Sequence, residues 1–247
     1  MKLYITGDTH GSVERFLPDR WKEKGFPPLA GGDYILVLGD FGIPWECLPL
    51  WEDASGNVHE AESDAEKLDY LADVPATFLF IDGNHENFDL LNAYPVEEWN
   101  GGKVHRLRSN VLHLMRGEVF RLRGMKFFAF GGGKSIDRML RMEGMSWWPQ
   151  ELPSEKEFAR AKENLAKASN QVDLVFSHAA PLRFLHPHRN LLGFDPSLSE
   201  DNAVKMLSKL EPSIRYRRWY FVHYHIDFFD KERNARWMYR NIDWVEW

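Results

Sequence analysis

Short apolar runs of strand length recur along the whole chain, each closed by Gly, Asp, Asn or His. Residues 3–6 stop at Gly7-Asp8, 34–38 at Gly39-Asp40, and 77–81 at Asp82-Gly83-Asn84-His85. Residues 126–130 stop at Gly131-Gly132-Gly133, 172–176 at Ser177-His178, and 219–222 run into His223-Tyr224-His225. Between them lie stretches of helical character, clearest at 61–71 and 155–168. The second is announced by Ser154 with Glu157 three residues on, the signature of a capping box. Strands alternating with helices predict an α/β layered fold with polar residues at the carboxyl ends of the strands. The final third is richer in strand signals, with 236–239 as the expected last strand. Residues 134–153, with Pro149 and Pro153, read as an irregular insertion near the site. No Pro/Gly/Ser linker divides the chain, so residues 1–247 are expected to form one domain.

Composition narrows the picture. The 247 residues are 44% hydrophobic and 28% charged, ordinary for a soluble globular protein, and can bury a large core. No apolar run approaches the roughly 20 residues that span a bilayer. The first residues run straight into a motif with no room for a signal peptide, so a cytoplasmic location is expected. The single cysteine, Cys47, rules out an intrachain disulfide and thiolate-rich metal sites. A net charge of −6 offers no long-range attraction to nucleic acid. Arg215, Arg217 and Arg218 alternate with Tyr216, Trp219 and Tyr220, which predicts a strand with one solvated face rather than a nucleic-acid surface.

The residues at the strand ends carry the chemistry: Asp8, His10, Asp40, Asn84, His85, His178, His223 and His225. Carboxylates, imidazoles and one amide oxygen make a nitrogen and oxygen ligand set suited to Mn, Fe or Zn, with Mn favoured. One strand-end Asp is routine turn chemistry. The same residue class at five successive ends is poorly explained that way. Two dications 3.5–4 Å or so apart hold the attacking and leaving oxygens of an in-line displacement, and hydroxide generated on a metal replaces a Ser or Cys nucleophile. Asp40, central in the set, is the natural bridge. In an extended chain, Asp8-x-His10 and His223-x-His225 would each project both side chains to one side.

These residues resemble the calcineurin-like metallophosphoesterase superfamily. Gly7-Asp8-Thr9-His10-Gly11 matches its Gly-Asp-x-His-Gly motif, Gly39-Asp40 the second Gly-Asp, and Gly83-Asn84-His85-Glu86 the Gly-Asn-His-Glu motif. Ser177-His178 and His223-Tyr224-His225 resemble the closing histidine motifs, and all five occur in the superfamily's order. The resemblance implies a two-sheet β-sandwich flanked by helices. It further implies that Asp8, His10, Asp40 and His225 hold one metal and Asp40, Asn84, His178 and His223 the other. His85 would touch phosphate or protonate the leaving group, which makes it and Asp40 the expected catalytic residues.

The chain also departs from that pattern. The superfamily's protein phosphatases continue the second motif with an Asp that orients the motif-three His and an Arg that binds phosphate; here Ile43 and Pro44 stand there. Val222 replaces a Gly common before the closing His-x-His. The segment Gly144-Met145-Ser146-Trp147-Trp148-Pro149 is similar to bacterial and phage members. With the motif-two Arg missing, Arg138 and Arg141 in the 134–148 segment are expected to bind phosphate, since an Arg fork donates two parallel hydrogen bonds. Glu46 is the expected carboxylate partner of His85, with Asp82 bracing the loop. The expected activity is hydrolysis of a phosphate mono- or diester, with a phosphorylated small molecule, nucleotide or phosphoprotein as partner. A catalytically weak metal-binding scaffold that acts through protein binding is the alternative. No Gly-x-Ser-x-Gly elbow or P-loop supports an unrelated hydrolase or nucleotide-binding reading.

Overall fold

Alternation along each strand sorts the apolar side chains into three buried layers. The computed structural model describes residues 1–45, 50–52, 58–60, 63–192 and 200–246. The first strands are β1 (Lys2–Thr6), β2 (Asp33–Val37), β3 (Leu50–Glu52), β4 (Val58–Glu60) and β5 (Ala76–Phe80). They are followed by β6 (Val96–Trp99), β7 (Gly102–Arg108), β8 (Val111–Leu114), β9 (Glu118–Leu122) and β10 (Met125–Phe130). The last are β11 (Leu174–Ser177), β12 (Arg218–Phe221), β13 (Phe228–Asp230), β14 (Ala235–Trp237) and β15 (Ile242–Glu246). The helices are α1 (Pro18–Glu23), α2 (Asp64–Asp73), α3 (Phe88–Ala93), α4 (Glu155–Lys167), α5 (Leu182–Leu185), α6 (Arg189–Leu192) and α7 (Asn202–Leu210).

One mixed sheet runs β15-β1-β2-β5-β8-β7-β6 and a second runs β13-β14-β12-β11-β10-β9, while β3 and β4 pair separately. Leu3, Ile5, Leu36, Leu79 and Leu112 of the first sheet meet Phe120, Phe127, Phe176 and Tyr220 of the second in the central layer. The alternate residues Tyr4, Ile35, Val37 and Phe78 pack outward with Trp21, Leu68 and Leu71 of α1 and α2. Phe128, Val175 and Trp219 face the other way, onto Phe158, Leu165 and Leu207 of α4 and α7. The result is the two-sheet α/β sandwich flanked by helices. Among the described residues, no helix is long and apolar enough to cross a membrane.

The six apolar runs appear as β1, β2, β5, β10, β11 and β12, with ends within two residues of those expected. Ser154 caps α4, accepting from Glu157 N at 3.3 Å while Glu157 Oε2 accepts from Ser154 N at 2.8 Å. The helix expected at 61–71 begins instead at Asp64, because Ser63 and Glu66 form a second capping box that fixes the first turn; residues 61–62 lie outside those described. The strand expected last, at 236–239, is β14 and ends at Trp237, and β15 follows it, antiparallel to β1 at the sheet edge. Asp243 and Glu246 break up the apolar run that would have signalled it. Strands β6–β9 also went unread: charged residues interleave the buried positions of β7 and β9, β6 is a partly exposed edge strand, and β8 is four residues long with His113 inside it.

Candidate metal centre

The loops that follow β1, β2, β5, β11 and β12 converge at one end of the sandwich and are tied together by backbone hydrogen bonds. Thr9 N and His10 N donate to Asp40 O at 3.1 and 2.8 Å, and Gly11 N donates to Phe41 O at 2.9 Å. His85 N donates to Asp40 Oδ1 at 2.8 Å, which holds the motif-three loop against the motif-two carboxylate. Such close approach requires glycine: a Cβ on Gly83 would collide with the Asp40 side chain, and one on Gly39 with the His178 ring. Val222, where a Gly was common, is buried in the central layer, and its Cγ1 would lie 3.0 Å from a Cβ on Gly7. The added methyls of Val222 therefore fill space that Gly7 leaves open.

Asp8, His10 and His225 present ligand atoms within 4.8 Å of one another, as do Asp8, Asp40 and His178, and His10, Asp40 and His85. Asp40 stands between these sets. Its Oδ1 is 3.5 Å from His178 Nε2 and its Oδ2 is 4.0 Å from His10 Nε2. His223 joins through its ring, 4.9 Å from that of His178. Asp8-x-His10 and His223-x-His225 do not project to one side by strand alternation, as expected. His10, His223 and His225 all have left-handed backbone, with φ of 47°, 73° and 52°, and β12 ends at Phe221. Asp40 is left-handed too, at φ 48°. For residues with a Cβ, such conformations cost on the order of 1–3 kcal/mol each and persist where the surroundings enforce them. The turn, not the pleat, aims these side chains.

The electrostatics of the cluster fit a cation. Both Asp8 carboxylate oxygens are buried, with His225 Nε2 3.2 Å from Oδ2 and His178 Nδ1 4.0 Å from Oδ1, and an anion so buried is costly unless positive charge compensates it. His178 Nδ1 lies 3.0 Å from Leu38 O, so it donates there, and its Nε2 lies 3.0 Å from Asn84 Oδ1. The amide orientation is fixed, because Asn84 Nδ2 donates to Ser135 Oγ at 3.1 Å and Ser135 Oγ donates to Glu151 Oε2 at 2.6 Å. Asn84 Oδ1 and His178 Nε2 are thereby both aimed into the cluster beside Asp40 Oδ1, as ligands of one ion would be. Burial pushes Asp40 up, but His178, His85 and His10 outweigh it and hold the carboxyl at about 2. Burial and the neighbouring His178 push His223 down to about 3, so its ring is neutral and ready to ligate. The Asp8 carboxylate raises His225.

The expected substrate residues divide. Arg141 reaches the site: Nη1 is 2.7 Å from His85 Nδ1, Nη2 is 3.3 Å from Nε2, and Asp137 Oδ2 accepts from Nη2 at 2.7 Å. Arg138 instead lies 5.8 Å over the Trp147 ring and is absent from the lining of the site cavity. Glu46 lies outside the described residues. Among those described, the hydrogen-bond partner of the His85 ring is Arg141, a cation, and not the carboxylate that was expected. Burial lowers the His85 pKa, and the Arg141 charge adds to that against the pull of Asp40. Arg141 thus presents N–H donors to both ring nitrogens of His85.

Other supports escaped the sequence. The buried Glu86 carboxylate accepts from Phe41 N and Gly42 N at 2.9 Å each and from Gly83 N at 3.2 Å, pinning motif two to motif three. Arg15 donates to Thr6 Oγ1, Gly7 O and Tyr239 O at 2.5, 2.7 and 3.2 Å and to Asp8 O at 3.2 Å, so it braces the first motif from behind. Asp82, the expected brace, does hold its loop, accepting from Arg116 Nε at 2.7 Å and pairing with His113 Nε2 at 3.0 Å. Of the two supports that escaped the sequence, only Glu86 had a signal, in the Gly-Asn-His-Glu motif. The cavity over the site, about 380 Å³, is lined by Asp40, Asn84, His85, His223 and His225 together with Lys134, Ile136 and Leu192.

No curated protein matches the sequence. The crystal structure of phosphopantetheinyl hydrolase from Mycobacterium tuberculosis is similar over 96% of this chain and 88% of that one, at 14% identity and a TM-score of 0.38. The family model described as calcineurin-like phosphoesterase matches residues 1–239. The chain belongs to the calcineurin-like phosphoesterase family and is a metal-dependent phosphoesterase.

Proposed function

We propose that the protein holds two divalent cations and hydrolyses a phosphate mono- or diester. Asp8, His10, Asp40 and His225 would hold one ion, and Asp40, Asn84, His178 and His223 the other, with Mn the favoured metal over Fe or Zn. The observation that carries this reading is the buried Asp8 carboxylate facing His225 and His178, beside an Asp40 whose two oxygens face different imidazoles. Bound cations supply Lewis-acid polarisation of the phosphoryl group and a nucleophile at neutral pH.

The remaining work falls to the chain. Arg141 faces the His85 ring and, held by Asp137, would present a guanidinium at the mouth of the site for phosphate oxygens. His85, in its protonated form, would give a proton to the leaving-group oxygen as the ester bond breaks and return to the neutral imidazole. Glu86 and Arg15 keep the motif loops in register. A protein-binding scaffold of the same fold fits less well, because Asp40, Asn84, His85, His223 and His225 line one cavity and Asp8, His10 and His178 cluster with them.

The test is to strip the protein of metal, restore Mn, Zn or Fe separately, and assay a panel of phosphomonoesters, phosphodiesters, nucleotides and phosphopeptides. Metal-dependent phosphate release is the expected result. A fully loaded protein that hydrolyses no member of the panel overturns the proposal.

A further inference from the structure

The segment above the site is apolar where a solvent-exposed loop should be polar. Between residues 136 and 145, Ile136, Met139, Leu140, Met142 and Met145 are all exposed, with Met139 and Leu140 at 93% and 91%. Elsewhere among the described residues, exposed large apolar side chains are scattered: Met1, Val96, Leu191 and Trp244. Scattered ones need no explanation, whereas a contiguous patch marks a binding surface.

The segment is anchored and not frayed. At its root Ser135 N donates to Glu151 Oε1 at 3.1 Å and Gly133 N to Glu151 O at 3.1 Å. On the returning arm Trp148 is buried and donates from Nε1 to Asp89 Oδ2 at 2.8 Å. Inside the turn Met142 N donates to Ser146 Oγ at 2.9 Å, and Arg141 Nη1 to Ser146 O at 3.1 Å. Arg141 simultaneously faces His85. One short flap therefore carries both the cation at the phosphate end and the apolar surface.

That surface is continuous with the site. Ile136 and Leu192 line the same cavity as Asp40, Asn84 and His85. Its charges balance, with Asp137 and Glu143 against Arg138 and Arg141, so it attracts neither a polyanion nor an anionic membrane. An uncharged apolar group covalently attached to a phosphate held at the metals would meet Ile136 and Leu192 first and the methionine-rich flap next. Methionine suits a surface that must accept varied apolar shapes.

We infer that the substrate is a phosphoester whose organic moiety is apolar, an alkyl or comparably lipophilic group, and that residues 136–145 with Leu192 form the surface that receives it. This rests on the phosphoesterase reading and narrows it, setting aside nucleotides and phosphopeptides.

The test compares butyl and octyl phosphate, both below micellar concentration, with Mn-loaded wild-type protein and a Met139→Ser/Leu140→Ser/Met142→Ser variant. Each methylene that leaves water raises kcat/KM by up to about fourfold. Octyl over butyl should therefore exceed about tenfold in the wild type and fall to within about threefold in the variant. The three side chains are exposed, and equal melting temperatures for the two proteins would show that the variant is folded. Both esters turned over at equal kcat/KM would overturn this inference and leave the phosphoesterase reading standing. Failure to hydrolyse either, or any ester of the wider panel, would remove the reading beneath it. Flotation of the wild type with phosphatidylcholine vesicles without substrate, lost in the variant, would identify a lipid surface as the occupant and overturn the proposal. A wild-type dimer dissolved by the variant, with an unchanged octyl-to-butyl ratio, would do the same in favour of self-association.

Discussion

Ser135→Ala probes the outermost link in the chain of contacts that aims Asn84. The hydroxyl accepts from Asn84 Nδ2 at 3.1 Å and donates to Glu151 Oε2 at 2.6 Å, with Ser135, Asn84 and Glu151 all buried. Burial raises the Glu151 carboxyl, opposed by its hydrogen bonds from Ser135. Removing Oγ strands an amide N–H and takes a donor from a buried carboxyl. Leaving one buried polar group unsatisfied costs about 1–3 kcal/mol. At roughly 2.1 cal/mol/K of unfolding entropy per residue, a chain of 247 residues loses about 2 °C per kcal/mol, so Tm should fall by about 2–6 °C. The larger effect should be on metal. With Nδ2 released, the Asn84 amide can rotate its oxygen away from His178, and disruption of such outer contacts weakens metal affinity by about 10–100-fold. Calorimetric Mn titration alongside a thermal scan separates the two effects. A variant that melts lower yet binds Mn as tightly as the wild type would show that Asn84 Oδ1 is not a ligand and that Ser135 only packs.

Two further outcomes follow from other contacts. His85→Ala should retain metal and fold but lose about 10²–10⁴ in rate, as expected for a proton donor. The loss should be smaller with nitrophenyl phosphate, whose leaving group needs little protonation, and equal losses on both ester classes would assign His85 to phosphate binding instead. His105 stacks on His113, with their Nδ1 atoms 3.0 Å apart, and burial with the neighbouring His113 lowers its pKa from 6.5 to about 4. Because the folded-state value is depressed, the unfolded chain takes up this proton first. Stability is therefore full above pH 6.5 and falls by up to about 3 kcal/mol as pH drops toward 4. Urea titrations at pH 7.5 and 4.5 should show that slope, shallower in His105→Gln; an identical slope in the variant would reject the assignment.

Much of the fold was legible because the inner strands are buried on both faces and so read as unbroken apolar runs. Strands β7, β9 and β15 were not, since charged residues such as Lys103, Arg121 and Asp243 interrupt them, while β6 is a partly exposed edge strand and β8 is only four residues long. Both clear helices were visible, but the start of α2 needed the capping pair Ser63 and Glu66 to be recognised. At the site, spacing in sequence identified the residues and misjudged the geometry. Alternation was the assumed cause of convergence for His223 and His225, whereas left-handed turns produce it. Long-range partners were invisible for a different reason: Arg141 is 56 residues from His85 and Ser135 is 51 from Asn84. No local pattern encodes such pairs. The apolar flap was written plainly in the sequence, but only its exposure above the cavity gives it meaning.

If Asp40 joins two cations, the number of metal ions per chain depends on its second carboxylate oxygen. Equilibrium dialysis against Mn followed by elemental analysis should give two ions per wild-type chain. Asp40→Asn keeps the size of the side chain and replaces one carboxylate oxygen with an amide nitrogen, so it should retain one ion or none and lose activity. Two tightly bound ions in Asp40→Asn, or a single ion in the wild type at saturating Mn, would contradict the account.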